Sequence, residues 1–175
     1  MRIPATLRLG LLVVLSWFVM TLTHELGHVL FGWLSGARLV ELKLFGLPHS
    51  FYEPNPWPMW TLWGGPVVGV AGPVLAALLL GLALKRGGAV SVGVWFVADF
   101  CVLANGMYLA LAWKSGNETL DTARLLEAGV HPAWIVIFCV FTIGAGYVRF
   151  RRDVAEVLGR AKVDTADDDP QEPDA

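Results

Sequence analysis

Four apolar stretches, approximately residues 7–34, 59–84, 89–113 and 133–148, take up most of this 175-residue chain. About 20 predominantly apolar residues span the hydrocarbon of a bilayer. With no water at that depth, each backbone N–H and C=O must be bonded inside its own segment, which an α-helix achieves. The stretches therefore predict an all-α integral membrane protein with about four transmembrane helices. The first stretch begins like a signal peptide, basic residues ahead of an apolar run. No small-residue cleavage site follows and the run continues into His24, so it reads as an uncleaved span.

The connections are short. Basic residues gather at Arg2 and Arg8, at Lys85 and Arg86, and at Arg149, Arg151 and Arg152. With four spans these fall on one face, and the excess of Lys and Arg in cytoplasmic loops then predicts cytoplasmic N- and C-termini. After the first span, "RLVELKLF" alternates, with Val40, Leu42 and Leu44 on one side and Glu41 and Lys43 on the other. That period predicts a strand covered on one side. The proline- and aromatic-rich "GLPHSFYEPNPWPMW" follows, so the segment reads as a short strand or hairpin leading into an interfacial loop. The second span, with its "GGPVVGVAGP", is expected to be an internal helix packed closely on the first. Cys101 and Cys139 lie in different apolar stretches without paired spacing and read as small buried hydrophobes.

Charge separates the chain into residues 1–150, one polytopic membrane domain, and 151–175, a cytoplasmic tail that is acidic and disordered at its end. Six of the fifteen acids lie in the last twelve residues; without those residues, thirteen Lys and Arg face nine acids and the net charge of −2 becomes +4. The overall charge is thus set by the tail and gives no sign of a nucleic-acid partner. The expected partners are the lipid bilayer and a transmembrane protein substrate; the oligomeric state is not readable.

Ionisable side chains inside an apolar span are costly and mark function. The first span carries three within five residues, His24-Glu25-Leu26-Gly27-His28. Residues four apart share a helix face, so both imidazoles can reach one metal ion. In zinc hydrolases with this HExxH pattern, the glutamate takes the proton of the attacking water. A catalytic zinc site needs a third protein ligand. Asp121, opening an amphipathic turn beyond the third span, is the leading candidate, with Glu118 and His131 nearby. Asp99, about twelve residues or roughly 18 Å before the end of the third span, is poorly matched in depth and suits a bond to a neighbouring helix. Asn105 is at a depth to support the site, and His49 and His131 read as loop histidines.

The order of HELGH late in a first core span, an alternating strand, a Gly/Pro-rich span with "AGP" and a distal aspartate resembles the site-2 protease family of intramembrane zinc metalloproteases, over roughly residues 10–130. The resemblance implies one Zn²⁺ held by His24, His28 and Asp121, with Glu25 as catalytic base. It also implies a strand beside the site that holds unwound substrate, in a bacterial-type cell membrane. Thr122 stands where that family has glycine after the aspartate. The expected function is therefore an intramembrane zinc metalloendopeptidase acting on membrane-embedded substrates. The alternatives are a non-catalytic membrane metal-site protein, for assembly, sensing or metal transfer, and a membrane zinc hydrolase acting on a non-peptide bond.

Overall fold

A computed structural model describes residues 4–44, 48–83 and 88–166. In chain order the elements are α1 (Ala5–Leu34), β1 (Leu39–Lys43), β2 (His49–Tyr52), α2 (Pro58–Ala83), α3 (Ala89–Ser115), α4 (Asp121–Glu127) and α5 (Pro132–Ala166). Among the described residues, α1, α2, α3 and the Pro132–Gly159 part of α5 are long and apolar enough to cross a membrane. The described elements thus form an all-α architecture with one short hairpin after the first helix, as the apolar stretches predict.

α1, α2 and α3 pack on one another, and α5 lies mainly against α3. The α1–α2 contact depends on missing side chains. A Cβ added to Gly27 would strike the Gly64 carbonyl, and one added to Gly64 would strike the Gly27 carbonyl. The two backbones therefore approach more closely than any other residue would permit. Pro66 and Pro73 lie inside α2 and both are buried.

The boundary expected at residue 150 falls inside α5, which continues unbroken to Ala166. The reason is a change of pattern rather than a stop signal: beyond Val148 the sequence becomes amphipathic, and Val154 and Val157 pack with Val92 and Phe96 of α3. Residues up to at least Val157 thus belong to the bundle. The acidic end, expected to be disordered, lies outside the described residues, as do Arg2, Lys85 and Arg86 of the expected cytoplasmic face.

β1 and β2 form an antiparallel pair, with an irregularity between Leu39 and Glu41. Backbone bonds from Arg38 N–H to the Pro54 carbonyl and from Glu53 N–H to the Arg38 carbonyl close its base. The alternation correctly marks a strand but not its burial: every residue of β1 is exposed. β2 is the inner strand, with Ser50 buried and Tyr52 packed against Gly32 of α1, so β1 is left as the outer edge. The second strand arises within the proline- and aromatic-rich segment read as a loop.

α3 ends at Gly116, whose φ of 65° is a left-handed conformation open to glycine at little cost. The Asn117 side chain then accepts hydrogen bonds from both the backbone and the hydroxyl of Thr119. This turn reverses the chain and sets Asp121 at the start of α4. The Thr122 hydroxyl donates to the Leu109 carbonyl at 2.8 Å, fixing α4 to α3, and Leu125 completes a core with Leu62, Leu109 and Ile135.

Candidate metal centre

His24, Glu25 and His28 project from α1 into the junction of α1, α2, α3 and α4, each 5% exposed or less. Their ligating atoms lie within 4.8 Å of one another, and this buried group could hold a metal ion. Asp121 reaches the same point more closely. Its Oδ2 lies 2.8 Å from His24 Nε2 and 3.2 Å from His28 Nε2, while the two Nε2 atoms are 3.2 Å apart. Three ligands of a tetrahedral zinc ion at the usual bond lengths lie roughly 3.3 Å from each other. The tighter triangle therefore comprises His24, His28 and Asp121, with Glu25 set further back.

The hydrogen bonds on the far side of each ring show why the triangle calls for a cation. His28 Nδ1 lies 2.8 Å from the Thr61 carbonyl, an atom that only accepts, so Nδ1 carries the proton. His24 Nδ1 lies 2.8 Å from Asn105 Oδ1. The Asn105 amide orientation is set by its Nδ2, which donates to the Cys101 carbonyl at 2.9 Å, so here too the ring donates. In the neutral rings both Nε2 atoms then present lone pairs toward a carboxylate oxygen. Three electron-rich atoms at about 3 Å repel one another unless protons or a metal ion lie between them. Burial alone would raise the Asp121 carboxyl, but charge on His28 and hydrogen bonds from both imidazoles hold it well below the usual carboxylate range.

Gly65 supplies the space. A Cβ there would strike His28 Nε2 and come within 2.8 Å of His24 Nε2, so glycine keeps the ligating side of both rings clear. Tyr108 packs edge-on against His24, with ring centroids 5.2 Å apart. Glu25 is not committed to this network: its Oε2 is buried and has no hydrogen-bond partner among the described residues. The Ser50 side chain of β2 interacts with Glu25 and with Tyr52. The Tyr52 hydroxyl is likewise buried without a partner, and burial pushes its phenol up from the ordinary value. Arg124 of α4 bonds the Ser50 carbonyl at 3.3 Å and stacks on Phe51, so the inner strand and the helix bearing Asp121 are tied together over the site.

The structure thus brings His24, Glu25, His28, Asn105 and Asp121 together. Asn105 supports the site by accepting a bond from His24, whereas the sequence reading cast it as a donor. Glu118 and His131 are exposed and outside the cluster. His131 caps the start of α5, accepting from the Ala133 N–H, and His49 pairs with Glu41 across the hairpin. Asp99 bonds Arg149 of α5 at 2.7 Å, far from the metal centre in sequence and in role. Cys101 and Cys139 are buried free thiols. Thr61, Ser50, Tyr108 and Gly65 escaped the sequence reading. Their parts depend on distances across helices, and only the Gly-Gly pair at 64–65 carried any hint. Compared with models of known families, with curated proteins and with solved structures, the chain matches none.

Proposed function

We propose that this protein is an intramembrane zinc metalloendopeptidase of the site-2 protease type, with His24, His28 and Asp121 holding one Zn²⁺ ion. The observation that carries the reading is the convergence of two imidazole lone pairs and one carboxylate oxygen at a point beside a second, uncommitted carboxylate. A purely structural metal site uses four protein ligands, whereas three leave a position open for water or substrate. When bound, zinc polarises a scissile carbonyl and lowers the pKa of water.

The chain's own residues supply the rest. Asn105 and the Thr61 carbonyl hold the two imidazoles in one tautomer and orientation, which such outer partners do at most metal sites. Thr122 and Arg124 hold the helix that delivers Asp121. Glu25 Oε2, free of hydrogen bonds, takes the proton of the attacking water and returns it to the departing amine. The depth of α1 excludes bulk water, strengthening each of these interactions. A transmembrane substrate has its amides bonded within its own helix and must unwind before attack. The lipid bilayer and such a substrate are therefore the proposed partners.

The test is cleavage of transmembrane peptides by the purified chain in liposomes. Cleavage that requires zinc, stops on chelation and returns on adding zinc supports the reading. A protein that binds zinc stoichiometrically and cleaves no peptide in a broad panel overturns it in favour of a non-catalytic metal site.

A further inference from the structure

A cleft of about 570 Å³ lies between α1 and α3, with Trp17, Met20 and Thr21 on one wall and Phe100, Ala104, Met107, Tyr108 and Leu111 on the other. Its chemistry is uneven. Nearly all of it is apolar, but one end is closed by His24 and Glu25 together with Pro48, Ser115 and Leu120. On α1 it runs from Trp17 to Glu25, about 12 Å, and on α3 from Phe100 to Ser115, about 22 Å at the α-helical rise. The rim residues Trp17, Met107 and Leu111 are between 41% and 58% exposed on the outer surface of the bundle. The cleft therefore opens sideways, at the depth of the apolar spans, and leads to the metal centre.

The geometry points to a role for this cleft as the entry and side-chain subsite for an unwound transmembrane polypeptide, whose large apolar residue beside the scissile bond sits over Ala104. The inference rests on the protease reading and adds the route and the specificity. Two observations choose a polypeptide over a lipid chain. The closed end presents the buried Glu25 carboxylate, with an oxygen that has no partner, and an acyl chain offers no donor to it, whereas unwound backbone offers N–H groups. The length also fits, since an extended segment of six or seven residues spans about 22 Å. Small residues set the depth: Ala104 lies between the larger Leu103 and Met107, leaving room there for an incoming side chain.

The test uses full-length protein in liposomes with a leucine-rich transmembrane peptide. A photoreactive residue is placed at Leu111, on the rim, or at Leu79, which faces outward from α2 and is 59% exposed. In a Glu25→Gln background, which holds substrate without turnover, crosslinking to the peptide is expected at position 111, at least tenfold above position 79. Adding Ala104→Phe should abolish it while zinc content stays at wild-type level; Ala104→Leu gives the milder block if the larger residue disturbs folding. In the active protein, Ala104→Leu should slow cleavage of peptides with Leu or Phe beside the scissile bond at least tenfold more than those with Ala. Equal crosslinking at the two positions, capture of lipid alone at position 111, or an unchanged preference in Ala104→Leu would overturn the inference. Crosslinking at 111 by a wild-type protein that cleaves nothing would instead uphold the cleft as a peptide site and sink the protease reading.

Discussion

Asp99 and Asp121 are both buried acids set against the same four-helix bundle, and their surroundings are completed in different ways. Asp99 is 3% exposed and bonded at 2.7 Å to Arg149, whose guanidinium stacks over Trp95 at 4.9 Å and reaches the surface. One negative and one positive charge cancel, and α3 is joined to α5. Asp121 faces two imidazoles whose outer nitrogens are occupied by acceptors, with Glu25 close behind. Two carboxylates and two neutral rings carry a formal charge of −2, for which a divalent cation is the fitting partner. A charge buried for architecture thus brings its counter-charge on a neighbouring helix, whereas a charge buried for chemistry is left to be completed by a ligand.

This contrast can be broken at several points. The largest effect is expected at the ligands: His28→Ala should weaken zinc binding by more than about 100-fold, read as metal content after dialysis against a competing chelator, because it removes a ligand rather than its support. Arg149→Ala should leave that metal content unchanged. Asn105→Ala, which frees the His24 ring from its orienting bond, is expected to weaken zinc binding by about 10- to 100-fold. On the other side of the comparison, Arg149→Ala leaves Asp99 without its counter-charge and should destabilise the bundle by about 2 kcal/mol in a detergent unfolding titration. A fully buried pair would lose about 3–5 kcal/mol, but Arg149 is half exposed. The smallest change is expected for Thr122→Val, which deletes the bond to the Leu109 carbonyl and should cost about 1 kcal/mol with at most a small loss of zinc affinity. A metal affinity that tracks stability across all four variants would erase the distinction between the two regions.

Much of this was legible in the chain because membranes constrain it so strongly. Span length and hydropathy placed the four long helices, and the i, i+4 histidines placed the metal-facing side of α1. Asp121 was within reach of the same reasoning, since the exits of α1 and α3 share a face. The sequence misled where burial depends on a partner. Alternation in β1 implied a covered face, yet only the pairing with β2 decides which strand lies inward, and Ser50 took that place. Likewise the stop expected at 150 rested on charge, while α5 continues because Val154 and Val157 find apolar partners on α3. Gly65, Thr61 and Ser50 could not be read in advance, since each acts through a contact made across helices. The departure at Thr122 has a local reason: its buried hydroxyl anchors α4 where a glycine would leave it loose.

The central claim is that Glu25 is held free of hydrogen bonds so that it can act as a base, and Glu25→Gln isolates it. Zinc stoichiometry and peptide cleavage should be measured together for wild type and Glu25→Gln in liposomes. The account predicts one zinc ion per chain in both proteins and a loss of cleavage of at least about 100-fold in the variant, the range expected for removal of a general base. Equal cleavage by the two zinc-loaded proteins would contradict it.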